Sequence, residues 1–394
     1  MKIVFAGRVT LRLLADFGKW DRPLPEAKWG FPLGSEIVKR LVGRGHTVVV
    51  VTEHTVDKVE RFKCQTECGG LEVWLVPSWK RSRWMFLTLF SKEMRGIRAA
   101  IQEIKPDVVF AQWTYHNAYA GLTSGYPTLV VAHDSPWRIV MVEKNLQTLI
   151  RALYAQFFVF PKVRHMTTVS PYIVSELRNW NRFKGEVKVV PNGIAHQDGI
   201  YYGSHTLIRK QATTVVCVSD WSARKNVKTL FRALVCAGKR LPHLHAIVFG
   251  NELSRDGEAG KYLRKHQIKI NCLELRGLTP RTEIDRVLRE EADLFVSPSL
   301  EESFGMVFVE AMRFGVPCIG GEKSGAVPWV IGDGGAVCDV TKPQKLAECI
   351  EHVMCDAELR KKLSECGRKR VREMFDIEKV VDMYESELKK VAGC

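Results

Sequence analysis

Glu302 and Glu310 stand eight positions apart in the stretch "SLEESFGMVFVEAMRFG", residues 299–315, one just before a Phe-Gly pair and one inside an apolar run. The apolar "DLFVSPS" ahead of them reads as a buried strand, and a helix pattern begins near Met306. That order places the loop 300–305 at the carboxyl end of a strand. The helix N-terminus then aims its free N–H groups and positive dipole end at whatever the loop holds. A diphosphate is the guest such a terminus favours, and Gly305 lets the backbone approach it. A carboxylate beside a diphosphate repels it, so Glu310, just over one turn into the helix, is aimed at hydroxyls instead. The vicinal pair of a ribose suits it, because a carboxylate accepts from two donors at once. Glu302, on the loop, is placed to accept from hydroxyls of a transferred sugar. Taken alone, the two residues are equally compatible with a solvated loop acid and a helix-surface charge.

The elements needed to hold such a loop recur along the chain. "KIVFAG", "HTVVVVT", "PDVVFAQ" and "PTLVVAHD" read as buried strands, "MTTVS" and "VKVVPNG" close the first half, and a helix pattern runs from Ser35 to Val42. The pattern then restarts with "TTVVCVSD", "HAIVFGN", "CLELRG", "DLFVSPS", "VPCIGG" and "GAVCDV", mostly separated by helical stretches; Thr279-Pro280 reads as a helix start. Alternation of strand and helix argues for parallel sheets covered on both faces. With 394 residues, two doubly wound α/β domains facing each other are expected. Residues 1–195 form the first, 196–212 the polar linker and 213–375 the second. The amphipathic segment 376–394 is a C-terminal helix expected to pack back on the first domain.

Taken together, "PSLEESFGMVFVEAMRFGVPCI" resembles the E-x7-E signature of the retaining glycosyltransferases of family 4, which have the GT-B fold of two Rossmann-like domains. The resemblance extends to "LGSEIVKRLVGRGHTVVVVT", "KPDVVFAQ", "LVVAHD", "TTVSPYIVSEL", "VVPNGI" and "LRGLTPRTEIDRVLREEADLFVSPS". It implies that Glu310 holds the ribose hydroxyls and Glu302 the donor sugar near its C3 and C4 hydroxyls. Ser303, Phe304, Gly305, Met306 and Val307 would meet the diphosphate and sugar. Arg224 and Lys225, in "SARKN", would stabilise the charge on the leaving diphosphate. His133 would project toward the sugar, Gly34 would let the opposing loop approach, and Leu278 sits where the family contacts the base through backbone groups. The chain departs from the family at Ser219 and Asp220, where an arginine is usual, at Trp329, where an acid is usual, and at Ala195, where an aspartate is common. The family's route is front-face attack through an oxocarbenium-like state, with the departing phosphate helping to take the acceptor's proton. No D-x-D motif is present, so no metal and no cofactor beyond the sugar-nucleotide donor (UDP or GDP) is expected.

Composition narrows the rest. The net charge of +15 is uneven: residues 1–200 carry 28 Lys+Arg against 17 Asp+Glu, and residues 201–394 carry 31 against 27. A first half this basic implies an anionic partner there. In "WKRSRWMFLTLFSKEMRGIR", residues 79–98, basic residues flank Trp79, Trp84, Phe86 and Phe90, as in an interfacial helix on anionic lipid, and "LYAQFFVFPKVR" adds a second apolar segment edged with bases. The expected partners are therefore a nucleotide sugar, a glycan or lipid-linked acceptor, and an anionic membrane contacted peripherally. No signal pattern or membrane span is legible, and the eleven cysteines are scattered, which points to a cytoplasmic protein at the inner face of the membrane. Its setting would be the synthesis of cell-surface polysaccharide, such as lipopolysaccharide, or of glycolipid. The absence of G-x-G-x-x-G after the first strand argues against a dinucleotide oxidoreductase, and no aromatic-basic RNA-binding signature argues for nucleic acid. A nucleotide-sugar epimerase of the same architecture and a non-catalytic nucleotide-sugar-binding protein remain as alternatives.

Overall fold

The computed structural model describes residues 1–25, 30–80, 82–195, 213–270 and 273–393. It falls into two compact units, Met1–Ala195 with Ile377–Cys394, and His196–Asp376. The expected linker, 196–212, lies outside the described residues, as do Arg81 and part of the insertion before the glycine loop, 26–29.

The first unit is built on β1 (Lys2–Ala6), β2 (Lys19–Trp20), β3 (Thr47–His54), β4 (Glu60–Gln65), β5 (Gly70–Pro77), β6 (Val108–Gln112), β7 (Thr128–Ala132), β8 (His165–Thr168) and β9 (Val187–Val189). Their order is β2-β4-β5-β3-β1-β6-β7-β8-β9, parallel except where β4 runs against β5 and β2 against β4. The β4–β5 hairpin is an addition to the expected parallel sheet. Its burial alternates along β4, in an ERFKCQ run whose charges face outward. The inner strands β6 and β7 are buried at every position, as their unbroken apolar runs require.

The C-terminal helix Ile377–Ala392 is part of this unit. It buries Val380, Val381, Tyr384 and Leu388 in the same core as β1, β3 and β6, each contributing roughly 2 kcal/mol. Arg44 meets Glu378, Asp382 and Glu385 on its outer face at 3.0, 2.6 and 2.9 Å. Burial alone would raise Glu385, but bonds from Lys389, Arg44 and His46 hold it at about 2.

The second unit holds β10 (Thr214–Val218), β11 (His245–Phe249), β12 (Leu273–Gly277), β13 (Leu294–Val296), β14 (Cys318–Gly321) and β15 (Gly335–Cys338), all parallel, in the order β12-β11-β10-β13-β14-β15. The chain moves outward from β10 through β11 to β12, then returns to β13 and moves the other way. A crevice therefore opens outside the carboxyl ends of β10 and β13, where such sheets hold ligands. The first sheet repeats the plan, with its own reversal between β1 and β6. The Thr279-Pro280 helix start is displaced by one residue. The helix runs Arg281–Glu290 with Pro280 at its N-cap, while the Thr279 hydroxyl turns back to the carbonyls of Arg276 and Gly277.

Candidate functional site

The two loops that leave β10 and β13 carry the charged residues singled out in the sequence, and they meet. Glu302 is 7% exposed. Lys225 Nζ donates to its Oε1 at 2.5 Å and Arg224 Nη1 to its Oε2 at 3.3 Å. Arg224 also donates to the Glu301 carbonyl at 2.8 Å, and its own carbonyl accepts from Leu300 N–H at 2.8 Å. The pair therefore does not open a basic helix: Ala223–Lys225 is one 3-10 turn, separated from the helix Val227–Gly238 by Asn226. Asn226 takes φ +52°, which asparagine tolerates better than most residues. Its amide donates to the carbonyls of Pro298 at 3.2 Å and Val340 at 2.9 Å. One side chain thus ties together the loops after β10, β13 and β15.

Beyond Glu302 the chain turns at Gly305, whose φ is +95° and where a Cβ would also come within 2.9 Å of the Phe308 ring. The helix Met306–Arg313 follows, so the first-turn N–H groups of Met306 and Val307 precede its hydrogen-bond ladder. Phe304 is buried against Phe375 and Trp329, with ring centroids at 5.4 and 6.2 Å, so its side chain serves the core and only its backbone is available to a ligand. That packing is what Trp329 does in place of the usual acid. Asp220, in place of the usual arginine, accepts from Ser222 N–H at 2.8 Å. Burial would raise it, but Ser222 and the nearby Lys225 and Arg224 hold it below its ordinary value.

Glu310 does not stand as a free helix-surface charge. Arg281 Nη1 lies 2.7 Å from its Oε2, and Arg281 Nε donates to Asp285 at 2.9 Å. Asp285, nearly buried, also faces Arg313 at 2.6 Å. Burial pulls Arg281 down, but the two acids more than offset it and its pKa stands above its ordinary value. Leu278, just past β12, is 79% exposed. An apolar side chain so open at the carboxyl edge of a sheet offers a face to a flat ring. Ser303 lies between Glu302 and Phe304, half-buried.

In the first unit, His133 follows β7. Its Nε2 meets Gln112 Oε1 at 2.9 Å, and its ring packs on Trp113 and Phe31 at 4.6 and 5.2 Å. Burial lowers its pKa to about 3, so it is a neutral hydrogen-bonding group at ordinary pH. Gly34 lies in the first turn of the helix Pro32–Gly43, where a Cβ would come 2.6 Å from Phe31 and 3.0 Å from Phe5. Packing by itself already requires that glycine. Beside His133, Tyr115 donates to Asp134 at 3.0 Å and His116 Nε2 meets Glu53. Burial raises Asp134 to about 6 despite the Tyr115 bond. It would raise Glu53 too, but His116 and Arg8 outweigh it and hold that carboxylate low. Among the described residues no cluster of three or more His, Cys, Asp or Glu is arranged to hold a metal ion.

Two family models match the chain in tandem. Residues 35–198 match the one described as Glycosyltransferase Family 4, and residues 204–370 the one described as Glycosyl transferases group 1. The chain belongs to the group 1 glycosyltransferases. Its two Rossmann-like domains are those of the GT-B fold: sucrose-phosphate synthase from Thermosynechococcus elongatus superposes with a TM-score of 0.74 at 18% identity, over 100% of this chain and 99% of that one. Among curated relatives, the N-acetyl-alpha-D-glucosaminyl L-malate synthase of Bacillus anthracis is 41% identical over 24% of this chain and 25% of its own length. The lipopolysaccharide core biosynthesis glycosyltransferase LpsE of Rhizobium meliloti is 26% identical over 44% of this chain and 48% of its own. The matched part thus spans a quarter to a half of these relatives.

Sequence reasoning passed over residues that stand beside the expected ones within each unit: Asn226, Arg281 and Asp285 in the second, and Gln112 with the Glu53–His116 and Tyr115–Asp134 pairs in the first. Arg281 and Glu310 are both legible as charges, but their pairing joins the helices after β12 and β13 and has no local signature. The basic-aromatic segment 79–98 is not one continuous helix. It is two helices, Ser82–Leu87 and Ser91–Ile104, broken where Leu89 and Phe90 take positive φ. Phe86 and Phe90 are buried against each other, and Phe90 stacks on His116 at 4.9 Å and meets Tyr154 edge-on. Trp79, Trp84, Leu87 and Leu89 remain exposed.

Proposed function

We propose that this glycosyltransferase moves a sugar from a UDP- or GDP-sugar to a hydroxyl of a glycan or lipid-linked acceptor, with retention at the anomeric carbon and without a metal ion, in the synthesis of cell-surface polysaccharide or glycolipid. The observation that carries this reading is the Glu302 carboxylate gripped by Lys225 and Arg224 beside the Gly305 helix tip, at the crevice of the second sheet. Breaking a glycosyl–phosphate bond builds negative charge on the departing diphosphate, and fixed cations and N–H groups in a half-buried site stabilise it. With donor bound, Lys225 and Arg224 turn from Glu302 to the diphosphate, and Glu302 accepts from hydroxyls of the transferred sugar. Glu310, steadied by Arg281, takes the ribose hydroxyls, and the base lies by Leu278. The departing phosphate helps to remove the acceptor's proton, so the protein's work is positioning more than covalent chemistry. LpsE, named for lipopolysaccharide core synthesis, supports the polysaccharide setting.

Thermal denaturation with UDP-, GDP- and ADP-sugars tests the donor. At about 100 times its Kd, one of them raises stability by roughly 2.7 kcal/mol. No shift with any would end the reading. Turnover with that sugar continues in EDTA; complete loss restored by Mn²⁺ would remove the metal-free part.

The membrane contact is also part of this proposal. Among the described residues no helix is long and apolar enough to cross a membrane. Leu87 and Phe157 are 70% and 68% exposed, on neighbouring segments joined by Arg151 over the Phe86 ring and by Phe90 against Tyr154. Met141, Leu146 and Phe158 extend the apolar set, and the basic first half supplies attraction to anionic lipid. Flotation with anionic vesicles at low salt recovers the protein, and a Leu87→Glu, Phe157→Glu double variant stays behind. Equal recovery of the two would place the contact elsewhere.

A further inference from the structure

Among the nine described cysteines, all free, only Cys338 and Cys349 meet thiol to thiol. Cys338 is the last residue of β15, and Cys349 stands midway along the helix Pro343–Cys355, which packs on that strand. Both residues are part-exposed, whereas Cys217 and Cys318 are buried and burial pushes the Cys217 thiol up to about 12. The Cys338 S–H donates to the Cys349 sulfur, which holds the Cys349 thiol below its ordinary value against the opposing effect of burial. The same bond, burial and the nearby carboxylates of Glu322 and Asp339 push Cys338 up. Cys349 is therefore the thiol that ionises first and attacks, with Cys338 in place to resolve it.

The end of β15 bears on the crevice of the second sheet by two routes. Val340, two residues past Cys338 and buried, offers the carbonyl that accepts from the Asn226 amide at 2.9 Å, next to Lys225. The Cys338 carbonyl accepts from Glu322 N–H at 2.9 Å, at the start of the loop whose Ala326 N–H donates to the Glu302 carbonyl at 2.9 Å. The helix Pro343–Cys355 lies against the helix Val227–Gly238, which Asn226 opens; Leu346, Ile350 and Val353 share one core with Leu230 and Leu234. The two thiols thus stand where a strand end and a helix meet, and both bear on the turn that carries the cations. A disulfide fixes its sulfurs at about 2.05 Å, well inside the contact of two thiols, so closing it draws the strand end and the helix together.

We propose that Cys338 and Cys349 form a peroxide-sensitive switch on donor binding. The Cys349 thiolate attacks one oxygen of hydrogen peroxide and the O–O bond breaks. The departing hydroxide takes a proton and leaves as water, and Cys349 becomes a sulfenic acid. The Cys338 sulfur then attacks the Cys349 sulfur, its proton passes to the departing hydroxide, and a second water leaves as the S–S bond forms. Two thiols thus give up two electrons, which reduce one peroxide to two waters. The new bond draws the end of β15 toward the helix, pulls the Val340 carbonyl from Asn226 and loosens the turn that carries Arg224 and Lys225. That the consequence is weaker donor binding rests on the transferase reading; the disulfide rests on the thiol pair alone.

Titration of the full chain with hydrogen peroxide tests the inference, read by mass spectrometry of its peptides and by calorimetry with UDP and GDP. The oxidised chain loses two hydrogens, and its digest yields one linked pair of peptides holding Cys338 and Cys349. Its affinity for the nucleoside diphosphate falls about tenfold, an ordinary coupling between two sites, and dithiothreitol restores it. Cys349→Ser and Cys338→Ser each bind the nucleotide as the reduced parent does and keep that affinity in peroxide. Either variant serves alone where the other fails to fold. Absence of a Cys338–Cys349 disulfide, or a disulfide that leaves the affinity unchanged, overturns the inference. So does an equal loss of affinity in the serine variants, which would place the oxidation elsewhere. If the reduced chain binds neither UDP nor GDP, the transferase reading falls and takes the effect on the donor with it, while the mapped disulfide still decides the modification site. If it binds one of them and peroxide changes nothing, only this inference falls.

Discussion

Glu302→Gln lowers kcat by about 10²–10³-fold, while the product nucleoside diphosphate binds at least as tightly as it does to the unaltered enzyme. The two halves of that expectation have one cause. In the free protein the carboxylate occupies both Lys225 and Arg224, at 2.5 and 3.3 Å. Glutamine keeps the shape but releases the cations, so an incoming diphosphate no longer has to displace a carboxylate. What is lost is the acceptor for the transferred sugar's hydroxyls, which the nucleoside diphosphate lacks. Kinetics with the sugar donor and calorimetry with UDP or GDP separate the effects. An unchanged kcat would remove Glu302 from the chemistry. A loss of diphosphate binding as large as the loss of kcat would instead make it a structural clamp.

Lys225→Ala has the opposite signature: diphosphate affinity and kcat fall together, and kcat/KM drops by about 10³-fold, some 4 kcal/mol. Lys225 is the closer of the two cations and its side chain is only 14% exposed, so little water screens it. Its removal also leaves the buried Glu302 with Arg224 alone, at a cost to folding of roughly 1–3 kcal/mol. Lys225→Ala combined with Glu302→Gln recovers that stability without recovering activity. Pairing the two measurements distinguishes an electrostatic role from a packing one, because a purely structural lysine would let the double variant regain turnover. Activity of the single variant within tenfold of the parent would show that Arg224 and the helix tip suffice.

The buried strands were readable because an unbroken apolar run of five or six residues ended by Gly or a polar turn has few other places to go. "HAIVFGN", "TTVVCVSD" and "PTLVVAHD" all became strands, and Gly305 became a left-handed turn before a helix. The β4–β5 hairpin escaped because an ERFKCQ strand is half-exposed and rich in charge. Phe86 and Phe90 look no different in sequence from Trp84 and Leu87, yet the first two are buried and the others are exposed. Only packing against His116 and Tyr154 decides between them. Phe304 likewise reads as a ligand-loop residue but spends its ring on Phe375 and Trp329.

From residue order alone came the alternation that demands parallel sheets, the acid–turn–acid signature at a helix start, and the family to which it belongs. All three depend on neighbours along the chain, whose spacing is set by strand and helix geometry. The folded molecule decided which groups meet: Lys225 with Glu302, Arg281 with Glu310, and Asn226 with two distant carbonyls. Those contacts join loops from different strands, and an ion pair or a hydrogen bond leaves no trace in sequence when its partners lie dozens of residues apart.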